Sequence, residues 1–249
     1  MIPEPFEDTA KLALIVAGLY VAIVAYARHS KPAWSDPIEK RRVAVLLALA
    51  LASLAVKVAE DVIGGEAGPI DRTVLLFIRR SVPRDLAGFL GAVTDSGSAR
   101  VLVPLSATAT LALIIARRRY EATLLAVSVV VGALLVYLVK AVVGRPRPAL
   151  WNTDAYWGSS FPSGHTLVVA ACSTALALCV GRLWPRARAM SLSLAFVWIL
   201  LVALSRLVLG VHWPSDVLAA ACVGACLPLT LDVALEVNGS LIKRRSARA

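Results

Sequence analysis

The sequence predicts an all-α, polytopic transmembrane bundle of about six to seven helices, and three observations predict it. Apolar residues make up 59% of the chain and charged residues 17%, against the roughly 25% charged residues of an average soluble domain. Mean hydropathy is +0.76, and the apolar residues gather in runs near the roughly 20 residues that a helix needs to cross a hydrocarbon core. The basic residues, which give a net charge of +10, sit in short clusters between those runs. A nucleic-acid-binding module carries its charge as a patch on a soluble surface. The lipid bilayer is therefore the expected partner, and nucleic acid is not.

Seven runs qualify as spans: 10–28, 42–63, 99–116, 120–140, 164–181, 190–209 and 215–236. The first lacks the positive flank and cleavage site of a secretory signal, so it is expected to remain as a span. The stretch from Asp71 to Thr94 mixes apolar residues with Arg72, Arg79, Arg80 and Arg84. It reads as an amphipathic interfacial helix followed by a loop. Arg28, Lys31, Lys40, Arg41 and Arg42 lie between the first two runs. Arg117 to Arg119, then Arg182, Arg186 and Arg188, then Lys243, Arg244, Arg245 and Arg248 fill later connections and the tail. With seven crossings all four clusters fall on one side, which the positive-inside rule makes cytoplasmic. The expected divisions are N-terminal transmembrane helices (1–64), an extracytoplasmic loop and interfacial helix (65–98), a core (99–238) and a basic cytoplasmic tail (239–249), disordered after Ile242. High Ala, Val and Arg content points to a bacterial inner membrane.

Cys172, Cys179, Cys222 and Cys226 all lie inside apolar runs, without the His or acidic company of a metal site. They read as packing residues, and no metal or other cofactor is expected. His29 lies beside the cytoplasmic basic residues and reads as incidental. Lys57, Glu60 and Asp61 are expected to pair internally or to reach a lipid headgroup.

Charged residues at the ends of membrane helices are costly and therefore functional candidates. Three groups fall on the predicted outer face. In the first, Lys140 ends a span, and Gly144, Pro146 and Pro148 stop the helix. The chain can then turn Arg147 back towards Lys140, where converging cations suit a phosphate. Arg145 also precedes a proline; the spacing favours Arg147. In the second, Pro162-Ser163-Gly164-His165 opens a span. Ser163 is placed as an N-cap and Gly164 permits close backbone approach. Free N–H groups there favour an anion, and His165 could protonate a leaving oxygen. In the third, Ser205-Arg206 ends a span, and Gly210 and Pro214 frame a turn carrying His212 and leading to Asp216. One helical turn separates His212 from Asp216. Asp216 can therefore hold one ring nitrogen and leave the other free to attack.

These motifs resemble those of the type 2 phosphatidic acid phosphatase (PAP2) superfamily, which includes undecaprenyl-pyrophosphate phosphatases and vanadium haloperoxidases. The family pattern is Lys, six residues, Arg-Pro; Pro-Ser-Gly-His; and Ser-Arg, five residues, His, three residues, Asp. Lys140 to Pro148, Pro162 to His165, and Ser205 to Asp216 match it. The likeness covers roughly residues 85–236, and the family core has six spans. The resemblance implies catalytic residues: His212 as nucleophile through a phosphohistidine, His165 as acid and then base, and Asp216 polarising His212. It also implies that Lys140, Arg147, Ser163, Gly164 and Arg206 bind the phosphoryl oxygens.

The expected activity is metal-independent hydrolysis of a lipid phosphomonoester or diphosphate: phosphatidic acid, phosphatidylglycerol phosphate or a polyprenyl diphosphate. A vanadate-dependent haloperoxidase and a non-catalytic lipid-phosphate binder or transporter are the alternatives. The spans argue against the first, and the intact His212, Asp216 and His165 set against the second. An imidazole nucleophile near its ordinary pKa of about 6.5 is expected to lose activity in acid. Trp151, Tyr156 and Trp157 are expected to anchor the entrance at the interface.

Overall fold

The computed structural model describes residues 4–30, 35–151 and 158–246. Among them the regular elements are ten α-helices and two 3-10 turns. The helices are α1 (Glu4–Ser30), α2 (Ser35–Lys40), α3 (Arg42–Gly64), α4 (Ala67–Ser81), α5 (Ala87–Ser96), α6 (Ala99–Ile115), α7 (Arg119–Val143), α8 (Gly164–Leu183), α9 (Arg188–Val208) and α10 (Pro214–Ser246). Tyr156 and Trp157 lie outside the described residues.

All seven expected runs lie in helices, but not all of them cross alone. α3, α7, α8, α9 and α10 are long and apolar enough to span a membrane. α5 and α6 make a sixth crossing if taken together, bent by 41°. Over its described residues α1 adds a shorter apolar stretch, Lys11–Tyr26. Among the described residues five helices, or six with the bent pair, are long and apolar enough to cross. Two expectations are corrected. The stretch 71–94 is not a helix and a loop: α4 is followed by a 3-10 turn at Arg84–Leu86 and then by the apolar helix α5. The tail after Ile242 continues α10 in helical form as far as Ser246.

α8 is the hub. It packs against α6, α7, α9 and α10, and most of its length is buried. α3 lies along α10, and α1 along α3. In hydrocarbon, helices associate by close packing, and small residues allow it. A Cβ on Gly224 of α10 would sit 2.3 Å from the Leu167 carbonyl oxygen of α8. One on Gly132 of α7 would sit 3.2 Å from the Leu167 side chain. At the α5–α6 bend, a Cβ on Gly97 would sit 3.0 Å from both Val169 and Val202. Outward positions such as Ile115, Tyr137 and Val142 are exposed, as a lipid-facing surface requires. Cys172, Cys179 and Cys222 are buried and all four cysteines are free thiols. Lys57 pairs with Asp61 at 2.8 Å, one turn apart on α3.

One end of the bundle is closed by charge. Arg41 grips Glu236 with two nitrogens at 3.0 and 2.5 Å, and Arg182 reaches the same carboxylate at 2.7 Å. Buried Asp232 accepts from the Tyr120 hydroxyl at 2.9 Å, and the Arg182 guanidinium stacks 3.9 Å from the Tyr120 ring. Arg41, Arg118, Arg182 and Arg188, with Glu121 and Glu236, line a cleft of about 610 Å³ there. Arginines from three of the sequence-predicted cytoplasmic clusters thus meet at one end. The opposite end receives the C-terminus of α7, the N-termini of α8 and α10, and the C-terminus of α9.

Because α8 and α10 touch through Gly224, Gly224→Val is expected to force them apart, costing about 1–3 kcal/mol as overpacking does. A lower thermal midpoint of the purified protein in detergent, with reduced yield, is the expected reading; an unchanged midpoint would contradict the packing.

Candidate active site

Four helix ends, those of α7 and α9 and the starts of α8 and α10, build the site with the described residues of the loop between α7 and α8. α7 ends at Gly144, whose φ of 60° is left-handed and turns the chain out of the helix without a Cβ penalty. The chain then doubles back. The Ser160 N–H donates to the Arg145 carbonyl at 2.8 Å, and the Ser160 hydroxyl to the Pro146 carbonyl at 3.1 Å. Lys140 Nζ donates to the Ser159 carbonyl, and Arg147 Nε to the adjacent Gly158 carbonyl at 3.3 Å. The two cations of the first motif therefore hold neighbouring carbonyls of one loop.

That loop leads into α8. Ser163 stands at the N-cap with extended backbone, but its hydroxyl meets the Thr166 hydroxyl at 3.0 Å rather than a backbone N–H. The expected side-chain cap is thus absent, because Thr166 takes the hydroxyl. The Ser163 N–H instead donates to the Asp216 carbonyl at 3.2 Å, fastening the start of α8 to the start of α10.

The third motif supplies the centre. Arg206 is 2% exposed at the end of α9 and donates to Thr94 Oγ1 of α5 at 2.7 Å. Gly210 turns the chain with φ 69°, and the Trp151 ring lies so close that a Cβ there would be 2.5 Å from it. Pro214 opens α10, where its missing N–H costs no helical bond. His212, in this turn, is 2% exposed. Its Nδ1 lies 3.5 Å from Asp216 Oδ2, and its Nε2 lies 3.5 Å from Arg147 Nη1. A guanidinium only donates, so a neutral His212 in this setting carries its proton on Nδ1, towards Asp216. Arg147 Nη1 also donates to the Val211 carbonyl at 2.8 Å. Of the two candidate arginines, Arg147 is the one that approaches His212.

Arg145 is engaged elsewhere. Its Nη1 meets Asp216 Oδ1 at 2.6 Å and its Nη2 meets Asp71 Oδ2 at 2.7 Å. The sequence reading missed Asp71, Thr94 and Ser215. Asp71 is 2% exposed on a helix read as interfacial. Its signal was periodic: it lies one turn before the fully buried Leu75, on the inner face of α4. Thr94 and Ser215 carried no comparable signal. Among the described residues no cluster of His, Cys, Asp or Glu has the form of a metal site.

Burial pushes His212 down to about 4; Arg206 and Arg147 add to the shift and Asp216 opposes it. The imidazole is therefore held neutral far below its ordinary range.

An all-helical membrane bundle with imidazole, guanidinium and carboxylate groups gathered at one end defines a polytopic membrane protein with an anion-suited site. The PAP2 superfamily profile matches residues 121–232. An undecaprenyl-diphosphatase of Sulfolobus acidocaldarius is 30% identical over 204 residues, covering 78% of this chain and 93% of that protein. This chain belongs to the PAP2 superfamily. Phosphatidylglycerophosphatase B of Escherichia coli is 47% identical over 77 residues, 31% of this chain and only 28% of that protein's length. A transmembrane PAP2-type phosphatidylglycerolphosphate phosphatase from Bacillus subtilis shares the fold, with a TM-score of 0.66 and 23% identity. The alignment covers 78% of this chain and 96% of that one.

An NMR titration of His212 in detergent is expected to show a midpoint near 4. The neutral form persists above that pH and is lost as pH falls through it. A midpoint at the unperturbed value of about 6.5 would contradict the buried, cation-flanked setting.

Proposed function

We propose that the protein is an integral-membrane phosphatase that hydrolyses a lipid phosphomonoester or diphosphate through a phosphohistidine, without a metal ion. The observation that carries this reading is the buried His212 with Arg147 3.5 Å from Nε2 and Asp216 3.5 Å from Nδ1. Nε2 attacks phosphorus as the bond to the leaving oxygen breaks. Asp216 stabilises the positive charge that develops on the ring. His165, in the first turn of α8, takes up a proton as the anionic substrate arrives and gives it to the leaving oxygen. It then takes a proton from water, whose oxygen displaces His212 and releases inorganic phosphate. Phosphoryl transfer mainly needs positioning and charge neutralisation, which Lys140, Arg147, Arg206 and the N-terminus of α8 at Ser163 and Gly164 would supply.

The site's position at the end of the apolar helices lets a lipid keep its chains in the bilayer while its phosphate enters. Relatives named for phosphatidylglycerophosphate and undecaprenyl diphosphate support these substrate classes, beside phosphatidic acid. The gathering of Arg41, Arg118, Arg182 and Arg188 at the opposite end supports a site facing the exterior or periplasm and a cytoplasmic C-terminus.

Purified protein offered a panel of lipid phosphates in EDTA is expected to release phosphate. His212→Ala is expected to lower the rate by about 10³-fold or more, as loss of a nucleophile does. Release that requires an added divalent ion would reject the mechanism.

A further inference from the structure

Asp71 lies outside the matched family region, on α4, yet it is joined to the centre of the site. Its Oδ1 accepts the Ser215 backbone N–H at 2.8 Å. Its Oδ2 accepts the Ser215 hydroxyl at 2.5 Å and Arg145 Nη2 at 2.7 Å. Ser215 is the second residue of α10, so Asp71 caps that helix from another element and places a negative charge at its positive end. The same carboxylate holds one arm of Arg145 while the other arm holds Asp216 at 2.6 Å. Asp216 Oδ2 accepts the Trp213 N–H at 2.8 Å and faces His212.

We infer that Asp71 is a positioning residue for His212, acting through Arg145 on Asp216, and that α4 thereby belongs to the working site. Two carboxylates share one guanidinium, so the trio keeps a net negative charge. That leaves Asp216 able to stabilise a positive ring on His212. Without the Asp71 charge, Arg145 neutralises Asp216 alone, and the support for the developing imidazolium weakens. Asp71 does not touch the proposed phosphate-binding cations other than through this chain. Its loss should therefore slow the chemical step and spare phosphate binding.

This inference presupposes the phosphatase reading, and the two fail in different ways. Wild-type protein that releases no phosphate from any lipid substrate sinks that reading. Given wild-type turnover, the test is Asp71→Asn, which keeps the side-chain shape. Its kcat is expected to fall by about tenfold or more, while KM and the inhibition constant of inorganic phosphate stay within about threefold. Arg145→Lys is expected to lower kcat in the same way, and the double variant should fall no further than the worse single, as for residues acting in one chain. Wild-type kcat in Asp71→Asn overturns the assignment, as does a matched loss of turnover and phosphate affinity or full additivity with Arg145→Lys. Should Asp71→Asn fail to fold, Arg145→Lys alone decides: wild-type kcat in that variant overturns the assignment too.

Discussion

A carboxylate with no exposed surface at the end of a membrane helix must have its charge answered, and Asp216 is the group on which the site depends. Arg145 meets one of its oxygens at 2.6 Å, and the Trp213 N–H meets the other at 2.8 Å. Its backbone carbonyl receives Ser163 N–H from α8. In a low-dielectric interior an unanswered charge would cost several kcal/mol, so these partners are fixed. The same contacts fix the distance from Asp216 to His212. Satisfying one buried charge thus draws α4, the loop after α7, and the starts of α8 and α10 to one place.

The two ends of the bundle solve similar electrostatic problems differently. At the far end, Arg41 and Arg182 share Glu236, while Asp232 takes the Tyr120 hydroxyl. Glu236 and Asp232 there both face arginines, and the network ties the starts of α3 and α7 to the ends of α8 and α10. At the site end, Lys140, Arg147 and Arg206 have partners that differ from these. Lys140 and Arg147 lean on backbone carbonyls, and Arg206 on a threonine hydroxyl.

Much of this was legible in the chain itself. The apolar runs marked the helices of the core, and Gly144, Gly210 and Pro214 marked the turns between them. The three short motifs held Arg147, Ser163, His212 and Asp216, which hydrogen bonds and close contacts join in the structure. What escaped had weak local signals. α5 and α6 are each shorter than a full span, and only their bent partnership has the length of one. Asp71 sits among arginines at 72, 79 and 80, and in sequence it looks like one more charge on a polar helix.

The sequence alone determined that the chain is a helical membrane protein and which helix ends carry imidazole, guanidinium and carboxylate groups. Hydrophobic length and residue spacing are local properties, and they survive without coordinates. Only the tertiary structure decided which arginine approaches His212, which carboxylate answers Arg145, and how far the imidazole is driven from its ordinary pKa. Those outcomes depend on burial and on distances between residues as far apart as 71 and 216, set by the packing of helices that the chain order does not constrain.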